Sequence, residues 1–109
     1  MANPWAGEVA LDLDGERRVL KLTLGALAEL EAALEADSIL ALVERFEGGR
    51  FSTRDVLLLI VAGLRGGGWR GTADDLRTAE IGGGPLAAAR VAAELLVRAF
   101  QLPGGQGEA

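Results

Sequence analysis

Residues 8–22 have the sequence EVALDLDGERRVLKL, which is the pattern of a β-hairpin. Val9, Leu11 and Leu13 alternate with smaller or charged residues, the period expected of a strand with one buried face. Asp14-Gly15 follows, a dipeptide typical of the two-residue type I′ turn that joins antiparallel strands. The sequence therefore predicts an N-terminal hairpin.

The turn also predicts the register of the two strands. If Asp14 and Gly15 form the whole loop, the facing pairs are Val9–Leu20, Leu11–Arg18 and Leu13–Glu16. One face of the hairpin is then apolar, with Val9, Leu11, Leu13, Leu20 and Leu22. On the other face Asp12 lies opposite Arg17, where a cross-strand ion pair adds a little stability.

Five helical segments are predicted after the hairpin. Four of them follow a residue suited to cap a helix N-terminus: Thr23, Ser38, Ser52 and Thr72. The last two are followed by Asp at the capping-box spacing, and Pro85 suits the first turn of the fifth helix. The predicted helices cover about 24–34, 39–46, 53–64, 73–80 and 86–101. Their expected apolar stripes include Leu24 and Leu27 in the first helix and Phe100 in the last.

The fold class predicted from these elements is α+β, with an N-terminal β-hairpin (about 7–13 and 16–23) packed on a bundle of about five α-helices. The third helix has no polar face between Val56 and Val61, so we expect it to be buried on all sides at the centre. Residues 1–102 are predicted to form a single domain. Residues 103–109 are predicted to form a flexible, Gly-rich tail.

The composition argues against an enzyme. The chain has 109 residues, with no Cys, no His and no Tyr. The usual acid–base groups, thiol nucleophiles and soft metal ligands are therefore missing, and we expect no catalytic residues, no cofactor and no metal. Lys21 lies on the polar face of the hairpin, and Ser38 and Ser52 are explained as helix caps.

Charge and hydropathy indicate a cytoplasmic protein without a membrane or nucleic-acid partner. The net charge is −5, which disfavours binding to a phosphate backbone. The N-terminus lacks the pattern of a signal peptide, and the longest apolar run, 56–62, is too short to span a bilayer. Oligomeric state is left open by the sequence.

Four residues are candidates for binding a partner: Trp5, Arg65, Trp69 and Arg70. Tryptophan is enriched at the energetic centres of protein interfaces, and neither Trp belongs to an apolar helical stripe. The alternative is that each indole folds back over the edge of the core. The glycines between Arg65 and Arg70 could suggest nucleic-acid binding, but in an acidic protein a plain helix connection is favoured.

Two further patterns have structural explanations. Gly82-Gly83-Gly84 precedes a helix and could bind an anion, but it lacks the Lys-Ser/Thr of a phosphate-binding loop, so a helix break is the simpler interpretation. Asp74-Asp75 fits the first turn of a helix, where negative charge is favourable.

Ten stretches spread over nearly the whole chain form a further pattern: ANP (2–4), GEV (7–9), LDG (13–15), LKLTLGALAELE (20–31), LALVERF (40–46), GRFS (49–52), GLRGGG (63–68), GG (83–84), AELL (93–96) and Phe100. Together they resemble the small tail proteins of bacterial gene transfer agents, which are phage-derived particles that package host DNA. This family is grouped with phage tail-tube and tail-assembly-chaperone proteins, and it defines no catalytic residues.

The resemblance implies a non-enzymatic tail-assembly factor that binds tail-tube or tape-measure protein in a bacterial cytoplasm, from a gene transfer agent or a prophage. One alternative is a structural subunit that stays in the phage-like particle. A second alternative is a small host adaptor or regulatory protein.

Overall fold

The computed structural model describes residue 3, residues 6–35 and residues 38–100. These residues form a two-stranded antiparallel sheet followed by five helices, which confirms the predicted α+β class. The strands are β1 (Glu8–Leu13) and β2 (Glu16–Lys21), and the helices are α1 (Leu24–Leu34), α2 (Ile39–Glu47), α3 (Thr53–Gly66), α4 (Ala73–Arg77) and α5 (Gly84–Ala99). The proposed tail, 103–109, lies outside the described residues.

The hairpin has the predicted register. Val9 faces Leu20, Leu11 faces Arg18 and Leu13 faces Glu16. Asp14 and Gly15 have φ angles of 51° and 81°, the left-handed conformation that a type I′ turn requires. On the outer face Arg17 Nη1 lies 3.4 Å from Asp12 Oδ1, as expected.

The second strand ends earlier than predicted, at Lys21 rather than near residue 23. Thr23 is the N-cap of α1, because its Oγ1 accepts a 3.1 Å hydrogen bond from the Ala26 N–H. Ser38 caps α2 in the same way, through a 3.0 Å bond from the Ala41 N–H. Local capping therefore sets where each of these helices begins.

The capping box at the start of α3 is joined to α2 by an ion pair. Asp55 Oδ2 accepts from the Ser52 N–H at 2.9 Å, and the Asp55 N–H donates to Ser52 Oγ at 3.1 Å. Arg45 donates from Nε and Nη2 to the two carboxylate oxygens of Asp55, both at 2.9 Å. Asp55 is only 4% exposed, so a buried charge is paired and hydrogen-bonded.

The helix α3 occupies the centre of the molecule, as predicted, and packs on β2, α1, α4 and α5. Leu59, Ile60 and Leu64 are fully buried. The expectation that this helix is buried on all sides is wrong, because Val56, Leu57, Leu58 and Val61 are only partly buried. Its neighbours cover one broad face and leave the other partly open.

The C-terminal end of α3 packs on the backbone of β2. A Cβ atom on Gly66 would collide with the carbonyl oxygen of Lys21, and one on Gly67 would collide with that of Val19. Gly67 ends the helix, its N–H donating to the Gly63 carbonyl at 3.0 Å. The glycine run predicted to be a simple connection is therefore a packing surface for the hairpin.

The fourth helix is shorter than predicted, since it ends at Arg77 and not near Glu80. The residues after it turn toward the hairpin, where Ile81 forms an isolated bridge with Leu13. Glu80 exchanges two 2.8 Å hydrogen bonds with Asp14, one to the Asp14 carboxylate and one from the Asp14 N–H. These contacts compete with helix geometry and stop α4.

The last helix begins two residues before its predicted start, at Gly84, with Pro85 in its first turn. Gly83 and Gly84 have φ angles of 87° and 72°, so the glycine run makes the sharp change of direction into the helix. Ala88, Val91, Ala92, Leu95 and Leu96 form the buried face of α5.

Candidate functional site

Three of the four candidate binding residues line one cavity. This polar cavity has a volume of about 580 Å³ and lies beside the first turns of α1. Its lining residues are Thr23, Gly25, Ala26, Glu29, Arg65, Gly66, Trp69 and Arg70. The fourth candidate, Trp5, lies outside the described residues.

Arg65 is held by contacts within the protein. Its Nε donates to Glu29 Oε1 at 2.8 Å, and its Nη1 donates to the Gly71 carbonyl at 3.1 Å. The hydrogen bond from Arg65, together with its charge, lowers the pKa of Glu29, and the same contacts raise the pKa of Arg65. Arg65 thus joins α1 to α3 and to the loop after it, and its guanidinium is largely engaged.

Trp69 packs on the core and also lines the cavity. Its indole is half-buried against the hydrophobic core, and it also forms part of the cavity wall. The backbone N–H of Trp69 donates to the Leu64 carbonyl at 2.9 Å, and the indole ring lies so close to Gly71 that a Cβ there would collide with it. The ring is therefore fixed in place at the surface.

Arg70 is the less engaged cation of the cavity. The residue is exposed, and its side chain forms no hydrogen bond or ion pair with any described residue. A fixed aromatic ring beside an unpaired guanidinium is a combination found at protein interfaces.

A second cavity lies on the opposite side of α1, and the sequence did not predict it. This α1–α2 groove has a volume of about 530 Å³ and is lined by Leu24, Leu27, Ala28, Glu31, Ile39, Leu40, Val43 and Phe100. Leu24 is 84% exposed, Leu40 66% and Phe100 50%. Seven of the eight lining residues are apolar, so the groove is a hydrophobic surface open to solvent.

The apolar stripes expected for the first and last helices are therefore only partly buried, because Leu24 and Phe100 lie in the groove and not in the core. The buried face of α1 is formed by Ala26, Leu30 and Leu34. At 100° per residue, Leu24 points away from that face, toward solvent. Leucines occur around most of α1, so periodicity alone did not identify which face α3 covers.

Carboxylates occur on or directly after both helices of the groove. Glu31 lines it and Glu35 follows four residues later, directly after the end of α1, while Glu44 and Glu47 follow Leu40 by four and seven residues on α2. All four are exposed, and none is ion-paired with a residue that the structure describes. We call these four residues the acidic rim.

Other kinds of site are not found in the described part of the chain. No group of three or more His, Cys, Asp or Glu residues there is placed to hold a metal ion. No helix among the described residues is long and apolar enough to cross a membrane. The Asp74-Asp75 pair lies in the first turn of α4, and Asp75 accepts from the Thr72 N–H at 2.8 Å, as a helix cap.

A protein-family model matches the sequence that forms this architecture over almost its whole length. The family model described as "Phage tail tube protein, GTA-gp10" covers residues 6–102, which include the hairpin, all five helices and both cavities. The chain belongs to this family. Comparison with curated proteins and with solved structures gives no significant match.

Membership of the GTA-gp10 family confirms the resemblance found in the sequence. It gives the chain a role connected with the tail of a phage or of a gene transfer agent.

Proposed function

We propose that this GTA-gp10 family member is a non-enzymatic assembly factor that binds another tail protein, either tail-tube or tape-measure protein, in the cytoplasm before the tail polymerises. The observation that supports it most directly is the α1–α2 groove. A small protein that exposes Leu24, Leu40 and Phe100 in one hydrophobic groove has the surface of a binding module.

The chemistry of the two cavities favours binding over catalysis. The hydroxyl of Thr23 is used as a helix cap, and the Glu29 carboxylate is used by Arg65. The α1–α2 groove offers only Glu31 among seven apolar residues. A nucleophile beside a general base is the usual arrangement for acyl or phosphoryl transfer, and neither lining contains one.

A structural tail subunit is the second candidate function. It is favoured by the family description, which names a tail tube protein. In that case the groove would be covered permanently by a neighbouring subunit in the particle. A host adaptor without any tail connection is disfavoured by the same family match.

Two measurements distinguish these functions. Tagged full-length protein is used to capture binding partners from cells that express the tail genes, and purified particles are analysed for the protein by quantitative mass spectrometry. An assembly factor captures tail-tube or tape-measure protein and is absent from finished particles. Presence in particles at the copy number of a tail subunit would establish the structural role instead.

A further inference from the structure

We infer that the α1–α2 groove recognises an amphipathic helix whose apolar stripe is flanked by Lys or Arg, an assignment that rests on the proposed function and specifies the chemistry of its partner. Two independent features of the groove lead to this occupant: the kind of surface that forms its walls, and the charge along its edges.

The walls of the groove favour a helix over an extended strand. Both walls are helices, whose backbone N–H and C=O groups beyond the terminal turns are hydrogen-bonded within each helix. A strand binds by pairing with a continuous row of free backbone groups at a sheet edge, and the two helices offer no such row. A helix binds instead by placing side chains at i, i+3, i+4 and i+7 into an apolar trough between two other helices.

The apolar side chains of the groove can receive such a row of side chains from a bound helix. Leu27, Ile39 and Val43 are partly buried and form its floor. Leu24, Leu40 and Phe100 stand at its edges and are largely exposed. A helix lying in the trough would cover both sets at once.

The second feature of the groove is the negative charge of the acidic rim. Glu31 lines the groove on α1, Glu35 directly follows that helix, and Glu44 and Glu47 lie on α2. All four are exposed, and none forms an ion pair with a described residue. Arg45 is the basic residue of these two helices, and it is bound to Asp55. A partner helix therefore meets negative charge on both flanks, which complementary Lys or Arg side chains would neutralise.

Two other occupants fit the charge less well. A second copy of this chain, docked groove to groove, would bring the acidic rims of the two copies together, and like charges disfavour that contact. The nine residues after Phe100 have the sequence QLPGGQGEA, which contains no Lys or Arg and only one large apolar side chain.

The test uses full-length protein and two synthetic, fluorescently labelled helical peptides of about 14 residues, long enough for four turns. Both peptides carry leucines at i, i+3, i+4 and i+7; one has Lys and Arg on the flanks and the other has Glu at the same positions. We expect the basic peptide to bind on the order of tenfold more tightly in fluorescence anisotropy at low salt. The difference should shrink as added salt screens the rim.

Three variants define the surface. Leu40→Glu should abolish binding of the basic peptide. Leu86→Glu is the matched control, because Leu86 is also a leucine, is 72% exposed and does not line the groove, so binding should be unchanged. The double variant Glu31→Lys/Glu35→Lys should reverse the preference toward the acidic peptide. Circular dichroism and thermal melting verify that each variant is folded.

Several results would overturn the inference. These are no binding of either peptide by folded wild-type protein, equal binding of both, or unchanged binding by Leu40→Glu. A wild-type dimer in sedimentation that Leu40→Glu converts to monomer would show that the occupant is a second copy, and would also overturn it.

The capture experiment separates this inference from the proposed function. If wild-type and Leu40→Glu protein capture tail-tube or tape-measure protein equally well, the inference is overturned and the proposed function stands. If wild-type protein captures neither, the proposed function fails, and the peptide measurements alone decide the groove.

Discussion

Gly66 and Gly67 leave no room for a side chain, because the carbonyl oxygens of Lys21 and Val19 occupy the space where a Cβ atom would lie. We predict that Gly66→Ala and Gly67→Ala each lower the free energy of unfolding by roughly 2 kcal/mol or more, since a backbone neighbour cannot move aside as a side-chain tip can. Chemical denaturation measures the change.

Gly25→Ala is the control for these substitutions. Gly25 lies in α1, and a Cβ atom there would meet only Thr23 Oγ1, at 4.0 Å. Alanine is the better helix former, so the variant should be neutral or more stable by up to about 1 kcal/mol. Equal stability of all three variants would show that α3 does not approach β2 as closely as described.

Asp55 is a buried carboxylate whose charge is stabilised by its neighbours. Burial raises its pKa, but the hydrogen bonds from Arg45 and Ser52 and the charge of Arg45 outweigh burial, so the pKa is lowered. The folded-state value therefore lies below the unfolded value of about 3.9. Asp55 stabilises the fold above that pH, and its contribution is lost as the pH falls through the folded pKa.

We predict that Asp55→Asn destabilises the protein by about 2–4 kcal/mol at pH 7, because the buried site loses the charge-assisted hydrogen bonds between the Asp55 carboxylate and Arg45. The difference from wild type should shrink as the pH falls from about 4 through the lowered folded-state pKa, below which wild-type Asp55 is also neutral. Denaturation curves across this pH range measure it. Arg17→Gln, which removes an exposed ion pair, should cost under about 1 kcal/mol at pH 7.

At the scale of the element, the hairpin is fastened to the segment that follows α4. The Asp14 carboxylate accepts from the Glu80 N–H at 2.8 Å, and Gly82 donates to the Asp12 carbonyl at 3.0 Å. Asp14 thus serves both the type I′ turn and a contact 66 residues away in the sequence.

Asp14→Gly should keep the turn but lose the side-chain acceptor, which lowers stability by about 1 kcal/mol. Amide hydrogen exchange at Glu80 and Gly82 should accelerate roughly five- to tenfold, because this segment opens more readily. Asp14→Asn keeps an acceptor oxygen and tolerates positive φ, so it serves as the matched variant and should behave like wild type. Equal exchange in both variants would show that the Asp14 carboxylate does not hold the segment after α4 against the hairpin.

The elements predicted well from the sequence are those determined by residues close to them in the chain. The Asp14-Gly15 turn fixed the hairpin register, and Thr23, Ser38 and Ser52 fixed three helix starts. The end of α4 was predicted wrongly because Glu80 bonds to a residue far away in the sequence. The groove was missed for the same reason, since only packing against α3 decides which face of a leucine-rich helix is exposed.

At the scale of the whole molecule, α1 separates the polar cavity from the groove. Gly25, Ala26 and Glu29 belong to one cavity, and Leu24, Leu27 and Glu31 belong to the other. The sequence placed Arg65, Trp69 and Arg70 together only as neighbours in the chain. Their shared cavity with α1 depends on the fold.

Substitutions of Arg70 and Trp69 should differ in their effects on stability and on capture of a tail partner. Arg70→Ala should leave the melting temperature unchanged, because the side chain has no described partner, and should weaken capture about two- to tenfold if the polar cavity is a contact. Trp69→Ala should also lower stability, by about 1–3 kcal/mol, because the half-buried indole packs on the core. Undiminished capture by Arg70→Ala would confine the contact to the groove.

The close approach of α3 to β2 also bears on how this chain diverges over evolutionary time. Among homologous sequences, glycine should be retained at positions 66 and 67, because any larger residue would collide with the hairpin backbone. Position 68 has open space around it but a φ of 105°, so its glycine is required by the backbone conformation and not by a close neighbour. All three glycines of the run should therefore be retained among homologous sequences, two for lack of space and one for its backbone angle.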